Sequence, residues 1–223
     1  MRSGTRPSLE AVSRGKLITL EGGEGVGKST HLPLLADHLA ALGLDVLKTR
    51  EPGGVSSAES IRTVLVTGEV GRWDPMSEAL LHFAARREHL VRVVWPALAR
   101  GQWVLCDRFA DSTMAYQGYG LGLGREPLER LYALVVGDFA PDLTIILDVL
   151  PEVGLERTAR RRHDEDRYER MDPAFHARLR EGFLDIARRE PERCVVVDSS
   201  GPTAEVQARL RAAVSERLRP VPA

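Results

Sequence analysis

Apolar positions along this chain recur in two rhythms. Short, nearly unbroken apolar runs stand at 17–20, 44–49, 103–107, 143–148 and 194–198; their length and lack of alternation predict strands covered on both faces. The stretches between them space apolar residues three or four apart, which predicts helices over about 29–42, from Asp74 to Pro96, over 126–137, from Pro151 onward, over 173–188 and over 203–218. Strand and helix alternate throughout, without internal repeats or a linker. That order predicts an α/β fold, a mostly parallel sheet of about five strands with helices on both faces.

Composition narrows the picture. At 223 residues the chain is long enough for one substantial core, so we expect a single domain over 16–218, preceded by a loose extension at 1–15 and followed by a tail at 219–223. Basic and acidic residues nearly cancel, 31 against 32. No overall field draws nucleic acid or an anionic membrane, and neither is an expected partner. No apolar stretch approaches the roughly 20 residues of a membrane helix, and the start of the chain lacks the apolar segment of a signal peptide. Cys106 and Cys194 edge apolar runs and predict buried free thiols in a reducing, cytoplasmic setting. The chain has 28 arginines, three lysines and no asparagine. Under so broad a bias an isolated arginine means little, whereas clusters and motif positions still count.

Between the first predicted strand and helix lies Gly22-Gly23-Glu24-Gly25-Val26-Gly27-Lys28-Ser29, followed by Thr30. It fits the phosphate-cradling pattern G-x-x-x-x-G-K-[ST] at every fixed position, in the strand-to-helix setting that the pattern requires. Glycines let the backbone wrap an oxyanion, N–H groups point inward, and the helix adds the positive end of its dipole. Lys28 would reach the outer phosphates and Ser29 would help hold Mg²⁺. A nucleoside triphosphate is the expected ligand. A guanine-nucleotide switch is excluded, because its N-K-x-D element needs an asparagine that this chain lacks.

Other candidates gather at strand ends. Arg50 enters the turn Glu51-Pro52-Gly53-Gly54, outside the carboxyl end of a strand where open sheets bind ligands. Asp107 closes the third run and fits the carboxylate that supports Mg²⁺ in phosphate-loop proteins. Arg108 and Phe109 follow it, and the polar stretch from Ser112 to Gly118 suits a binding loop better than a core. His82 and His89 share a helix face, but no third ligand completes a metal site and packing is their expected role. Arg157, Arg160, Arg161, Arg162, Arg167 and Arg170 crowd a segment at 157–170 that is too polar for a core and is expected to form a lid.

GGEGVGKS, then TREPGG at 49–54, FAARREH at 83–89, DRF at 107–109 with STMAYQG after it, and DRYE at 166–169 together resemble the bacterial thymidylate kinases, over about residues 16–218. The resemblance implies a phosphate-loop nucleoside monophosphate kinase fold, transfer of the γ-phosphate of ATP to dTMP, and a homodimer. It implies an ATP site at Gly22, Gly23, Glu24, Gly25, Val26, Gly27, Lys28, Ser29 and Thr30, with Mg²⁺ at Ser29 and Asp107. Arg50 and Arg108 would hold the acceptor phosphate, with Ser112 beside them, and Glu24 would meet the sugar hydroxyl. Arg86 would read the thymine edge, Thr113 and Gln117 would flank the base, and Tyr116 would crowd the 2′ position. His82 stands where the family places a stacking Phe, with Phe83 next to it, and either is a candidate. Because the loop interior has no arginine, one of Arg157, Arg161, Arg162 and Arg167 would join Lys28 and Glu24 in catalysis. A deoxynucleoside kinase or another nucleoside monophosphate kinase is the alternative; the former would need a base for a neutral hydroxyl rather than two arginines for a phosphate.

Overall fold

A computed structural model describes residues 14–159 and 166–220 of the chain. Five strands, β1 (Leu17–Glu21), β2 (Val46–Arg50), β3 (Trp103–Asp107), β4 (Leu143–Asp148) and β5 (Cys194–Asp198), form one sheet in the order β2-β3-β1-β4-β5, with every pairing parallel. β1 is buried along its whole length, as its unbroken apolar run predicts, whereas the edge strands β2 and β5 are partly open.

Successive side chains still part to opposite faces. Ile18, Leu20, Leu105, Ile145 and Leu147 pack with α1 (Lys28–Ala41) and α9 (Thr203–Leu218) through Leu32, Leu35, Leu39, Val206 and Leu210. On the other face, Leu17, Val104 and Cys106 pack under Phe83, Leu90, Phe109 and Leu128, and Ile146 under Phe175, Leu179 and Phe183. That face is covered by α3 (Pro75–His89), α6 (Arg125–Val135) and α8 (Pro173–Arg189). Both cysteines are buried and unpaired, and no helix among the described residues is long and apolar enough to cross a membrane.

Three elements differ from the sequence expectation. α2 (Ser56–Val66), left unassigned because its small polar residues carry little periodicity, packs on α3. The helix that starts at the Asp74 cap does not end at Pro96. It widens into a π turn at Leu90–Val94 and continues as α4 (Trp95–Ala99), since Pro96 falls where a helix start tolerates a missing N–H. The stretch after Arg108 is not an open loop but a buried helix, α5 (Ala110–Thr113), running into a second π turn at Met114–Gly120 that packs on α8. α7 (Pro151–Ala159) completes the set. β1, β2, β3 and β4 end in Glu21, Arg50, Asp107 and Asp148, so the carboxyl edge of the sheet is charged where ligands of such folds bind.

Candidate active site

The turn from β1 to α1 is built by backbone that only glycine tolerates. Gly25 has φ +67°, and a Cβ there would lie 1.9 Å from the Gly154 carbonyl oxygen of α7; at Gly22, φ +128°, it would lie 2.3 Å from that of Leu147. The loop opens on a cavity of about 780 Å³ lined by Lys28, Ser29, Thr30, Arg50, Asp107 and Arg157 among others. Lys28 Nζ donates to the carbonyls of Gly22 (3.0 Å) and Gly23 (2.8 Å). Burial, and then Arg108, bring its pKa down to about 8 against the pull of Asp107 and Glu24. Asp107 Oδ1 is buried without a hydrogen-bond partner among the described residues. Arg157 leans over the loop, donating to Gly25 O at 3.4 Å and to Ser199 O at 3.3 Å. Arg50 forms an exposed ion pair with Glu59 at 3.0 Å.

A second cavity, of about 110 Å³, shares Glu24, Glu51, Arg62, Arg108 and Glu169 with the first. Arg108 stands at φ +69°, unusual for a side chain-bearing residue. β1 holds both flanking amides: Arg108 N–H donates to Leu20 O at 3.0 Å and Phe109 N–H to the Glu21 carboxylate at 2.7 Å. The Arg108 guanidinium lies 4.9 Å from the Tyr116 ring centroid and donates to Gly22 O (2.9 Å), Ser112 Oγ (3.1 Å) and Glu24 Oε1 (3.2 Å). Tyr116 OH also donates to Glu24 Oε1. Burial alone would raise the Glu24 carboxyl, but Arg108 and Lys28 outweigh it and hold its pKa below the usual value.

Arg86 forms the floor. Its side chain is 2% exposed, with Nε on Glu51 Oε2 at 2.8 Å and Nη2 on Thr113 Oγ1 at 3.0 Å, while Nη1 has no partner among the described residues. Gln117 Nε2 donates to Glu78 Oε1 at 2.7 Å, and its Oε1 is likewise without a partner. His82 lines this cavity and lies 3.0 Å from Tyr168 OH; burial, then Arg86 and Arg167, push its pKa down to about 3, so the ring is neutral.

The thymidylate kinase family model matches residues 20–210. The chain belongs to the thymidylate kinase family. A thymidylate kinase of Caulobacter vibrioides is 52% identical over 93% of this chain and 99% of its own, and one of Magnetococcus marinus is 48% identical over 92% and 98%. The crystal structure of thymidylate kinase from Ehrlichia chaffeensis superposes with a TM-score of 0.74 at 34% identity, over 90% of this chain and 99% of that one.

Against the expectations that the family resemblance raised, the structure makes several distinctions. His82 lines the second cavity, whereas Phe83, 3% exposed, packs in the core beneath α3 and does not line that cavity. Of the candidate lid arginines, Arg157 reaches the phosphate-loop cavity. Arg167 does not line it; it is 2% exposed, bonds Leu65 O at 2.7 Å and pairs with Glu78 at 2.7 Å, which ties it to α2 and α3. Arg161 and Arg162 lie outside the described residues. His89, expected merely to pack, bridges Thr49 Oγ1 (2.7 Å) and Glu51 Oε1 (2.9 Å).

Sequence reasoning passed over Glu51, Glu78 and Tyr168. Glu51 completes Arg86, while Tyr168 OH donates to Glu78 Oε1 at 2.8 Å and closes the cavity edge-on to Tyr116. A signal for Glu78 was available, since Glu78, His82 and Arg86 recur every four residues and make a polar stripe along one face of α3.

Proposed function

We propose that the protein transfers the γ-phosphoryl group of ATP to dTMP, giving ADP and dTDP. The observation that carries this reading is the shared wall of the two cavities. A triphosphate cradled by the loop and a monophosphate seated above Arg86 would meet at Glu24 and Arg108. Phosphoryl transfer asks mainly for alignment and for neutralisation of charge. Loop N–H groups and Lys28 would hold the donor; Arg108, with Arg50 nearby, would hold the acceptor phosphate. Its attacking oxygen is already anionic, so no strong base is needed. Arg157, and with it Arg161 and Arg162, are the arginines for the transferring group.

The residues present suit a magnesium ion. Asp107, whose Oδ1 is unpartnered among the described residues, and the exposed Ser29 line the cavity where phosphates would bind. Among the described residues no group of three or more His, Cys, Asp or Glu could hold a metal. That agrees with a cation which keeps few protein ligands and fills its shell with phosphate oxygens and water. Bound there, it would neutralise the charge between the outer phosphates.

For the acceptor, Arg86 Nη1 offers a donor and Gln117 Oε1 an acceptor. Together they complement a pyrimidine edge that carries carbonyl oxygens and a ring N–H. His82 would stack, and Tyr116, tied to Glu24 through its hydroxyl, would crowd the 2′ position. Apolar side chains exposed along α3 and α6, Leu80 at 50% and Leu134 at 81%, support pairing of two copies. The test is ADP formation from ATP and Mg²⁺ with a panel of nucleosides and 5′-monophosphates. dTMP should be the preferred acceptor, and turnover of thymidine in preference to dTMP would overturn the reading.

A further inference from the structure

One buried titratable side chain on the donor side lies outside the phosphate-loop motif. His31 sits one turn into α1, its backbone N–H bonded to Gly27 O at 2.9 Å, and it is 5% exposed. The edge of its ring packs on the loop: a Cβ at Gly27 would come 3.0 Å from His31 Cδ2 and 3.3 Å from Nε2. His31 also lines the donor cavity, as do Arg157, Ser199 and Thr203.

Gln207 of α9 fixes the proton on this ring. Its Nε2 lies 3.0 Å from His31 Nδ1 and 3.0 Å from the His31 carbonyl oxygen. Only the amide nitrogen can donate to a carbonyl, which settles the orientation of the Gln207 amide. The same NH₂ group then donates its other hydrogen to Nδ1, which must accept it. The neutral ring therefore carries its proton on Nε2, by the rule that the bond made by one ring nitrogen sets the state of the other. Nε2–H has no partner among the described residues. It is a polar donor on a buried side chain, held on the edge that meets the loop.

We propose that His31 is a direct contact to the phosphoryl donor, giving its Nε2–H to an oxygen at the α-phosphate and ribose end of ATP. The choice of end follows from the cavity. The transferring phosphate must face the wall shared with the acceptor, at Glu24 and Arg108, which leaves the nucleoside end for the wall of Ser199, Thr203 and His31. The proposal rests on the reading that the loop binds ATP, so nucleotide binding is measured directly rather than through turnover.

In titration calorimetry, His31→Phe keeps the ring against Gly27 and removes the donor. It should weaken ADP by about five- to tenfold, the worth of one hydrogen bond, with the KM for dTMP unchanged. A wild-type Kd for ADP in this variant would overturn the proposal, as would equal losses for ADP and dTMP, which mark a structural role. Failure of the wild-type protein to bind ADP at all would instead refute the ATP reading. Adenosine separates the two oxygens: a penalty that persists assigns the ribose, and one that vanishes assigns the α-phosphate. Should His31→Phe fail to fold, ¹⁵N NMR of the wild-type ring decides. It should show a protonated Nε2 that shifts on ADP addition, and a protonated Nδ1 would overturn the assignment.

Discussion

Replacing Arg86 by methionine should cost the protein both stability and acceptor affinity, for one reason. Arg86 and Glu51 are 2% and 3% exposed and paired at 2.8 Å. Methionine keeps most of the buried stem against Phe83 and Phe109, whose rings lie 4.9 and 5.2 Å from the guanidinium. What is lost is charge compensation. Breaking a buried pair from one side costs about 3–5 kcal/mol, because the remaining charge is left in the interior. Glu51 retains His89 at 2.9 Å, which places the expected loss at the lower end, about 3 kcal/mol. At about 2–4 °C per kcal/mol for a chain of this size, the melting temperature should fall by about 6–12 °C. Neutralising the orphan with Arg86→Met/Glu51→Gln should recover much of that loss, giving a coupling of at least about 1 kcal/mol. Loss of Nη1 from the cavity should also raise the KM for dTMP about tenfold or more while that for ATP stays put. The assays are thermal unfolding of the two single variants and the double variant, and initial rates on both substrates. A single variant within about 1 kcal/mol of wild type, or additive costs in the cycle, would refute the reasoning.

Two further outcomes follow from the site. Lys28 titrates near 8 against 10.5 for an ordinary lysine, and its ammonium form holds phosphate, so kcat/KM for ATP should fall as pH rises through about 8; between the two values the unfolded chain binds more protons, and this residue alone makes stability rise with pH as activity falls. A profile of kcat/KM that stays flat from pH 7 to 9 would contradict this. Arg157→Ala should lower kcat, by about 10³ if it serves as the finger, whereas Arg167→Ala should cost about 3 kcal/mol of stability by unpairing Glu78 and raise the KM for dTMP through Tyr168. If unfolding curves and rates showed the reverse pattern, the division of the lid arginines would be wrong.

The strands were legible because an apolar run covered on both faces leaves few alternatives, and the phosphate loop because its backbone demands glycine at fixed spacing. The polar stretch at 112–118 was misjudged for a physical reason. Ser112, Thr113 and Gln117 are buried because each has a remote partner, respectively Glu21 (2.5 Å), Arg86 (3.0 Å) and Glu78 (2.7 Å). Burial of a polar side chain depends on such a partner, and no local pattern in the chain reveals it. The choice between His82 and Phe83 was different, because adjacent helical residues point about 100° apart and only one can share the face of Glu78 and Arg86. Phase along α3 contained that answer, whereas residue chemistry alone favoured the phenyl ring.

Arg50, Arg86, Arg108 and Arg167 each already have a carboxylate, and exposure divides these pairs by what a substrate can do to them. Arg86–Glu51 and Arg167–Glu78 are 3% exposed or less on both sides. A phosphate cannot replace either carboxylate without stranding a charge in the interior, so these two pairs are framework. Arg50–Glu59, at 51% and 39%, is open to water, and exchange there costs little, since exposed pairs are worth about 0–1 kcal/mol; Arg108–Glu24, at 18% on both sides, is only partly open. A dianionic acceptor phosphate, if it binds there as proposed, would outcompete one carboxylate for Arg108 through its greater charge and its added acceptors. Glu24 would then be released while still held by Tyr116, and its vacated oxygen would become an acceptor beside the arriving sugar. The acid in the phosphate loop would thus serve the acceptor in turn, first by keeping Arg108 aimed and then by taking the hydroxyl that accompanies the phosphate.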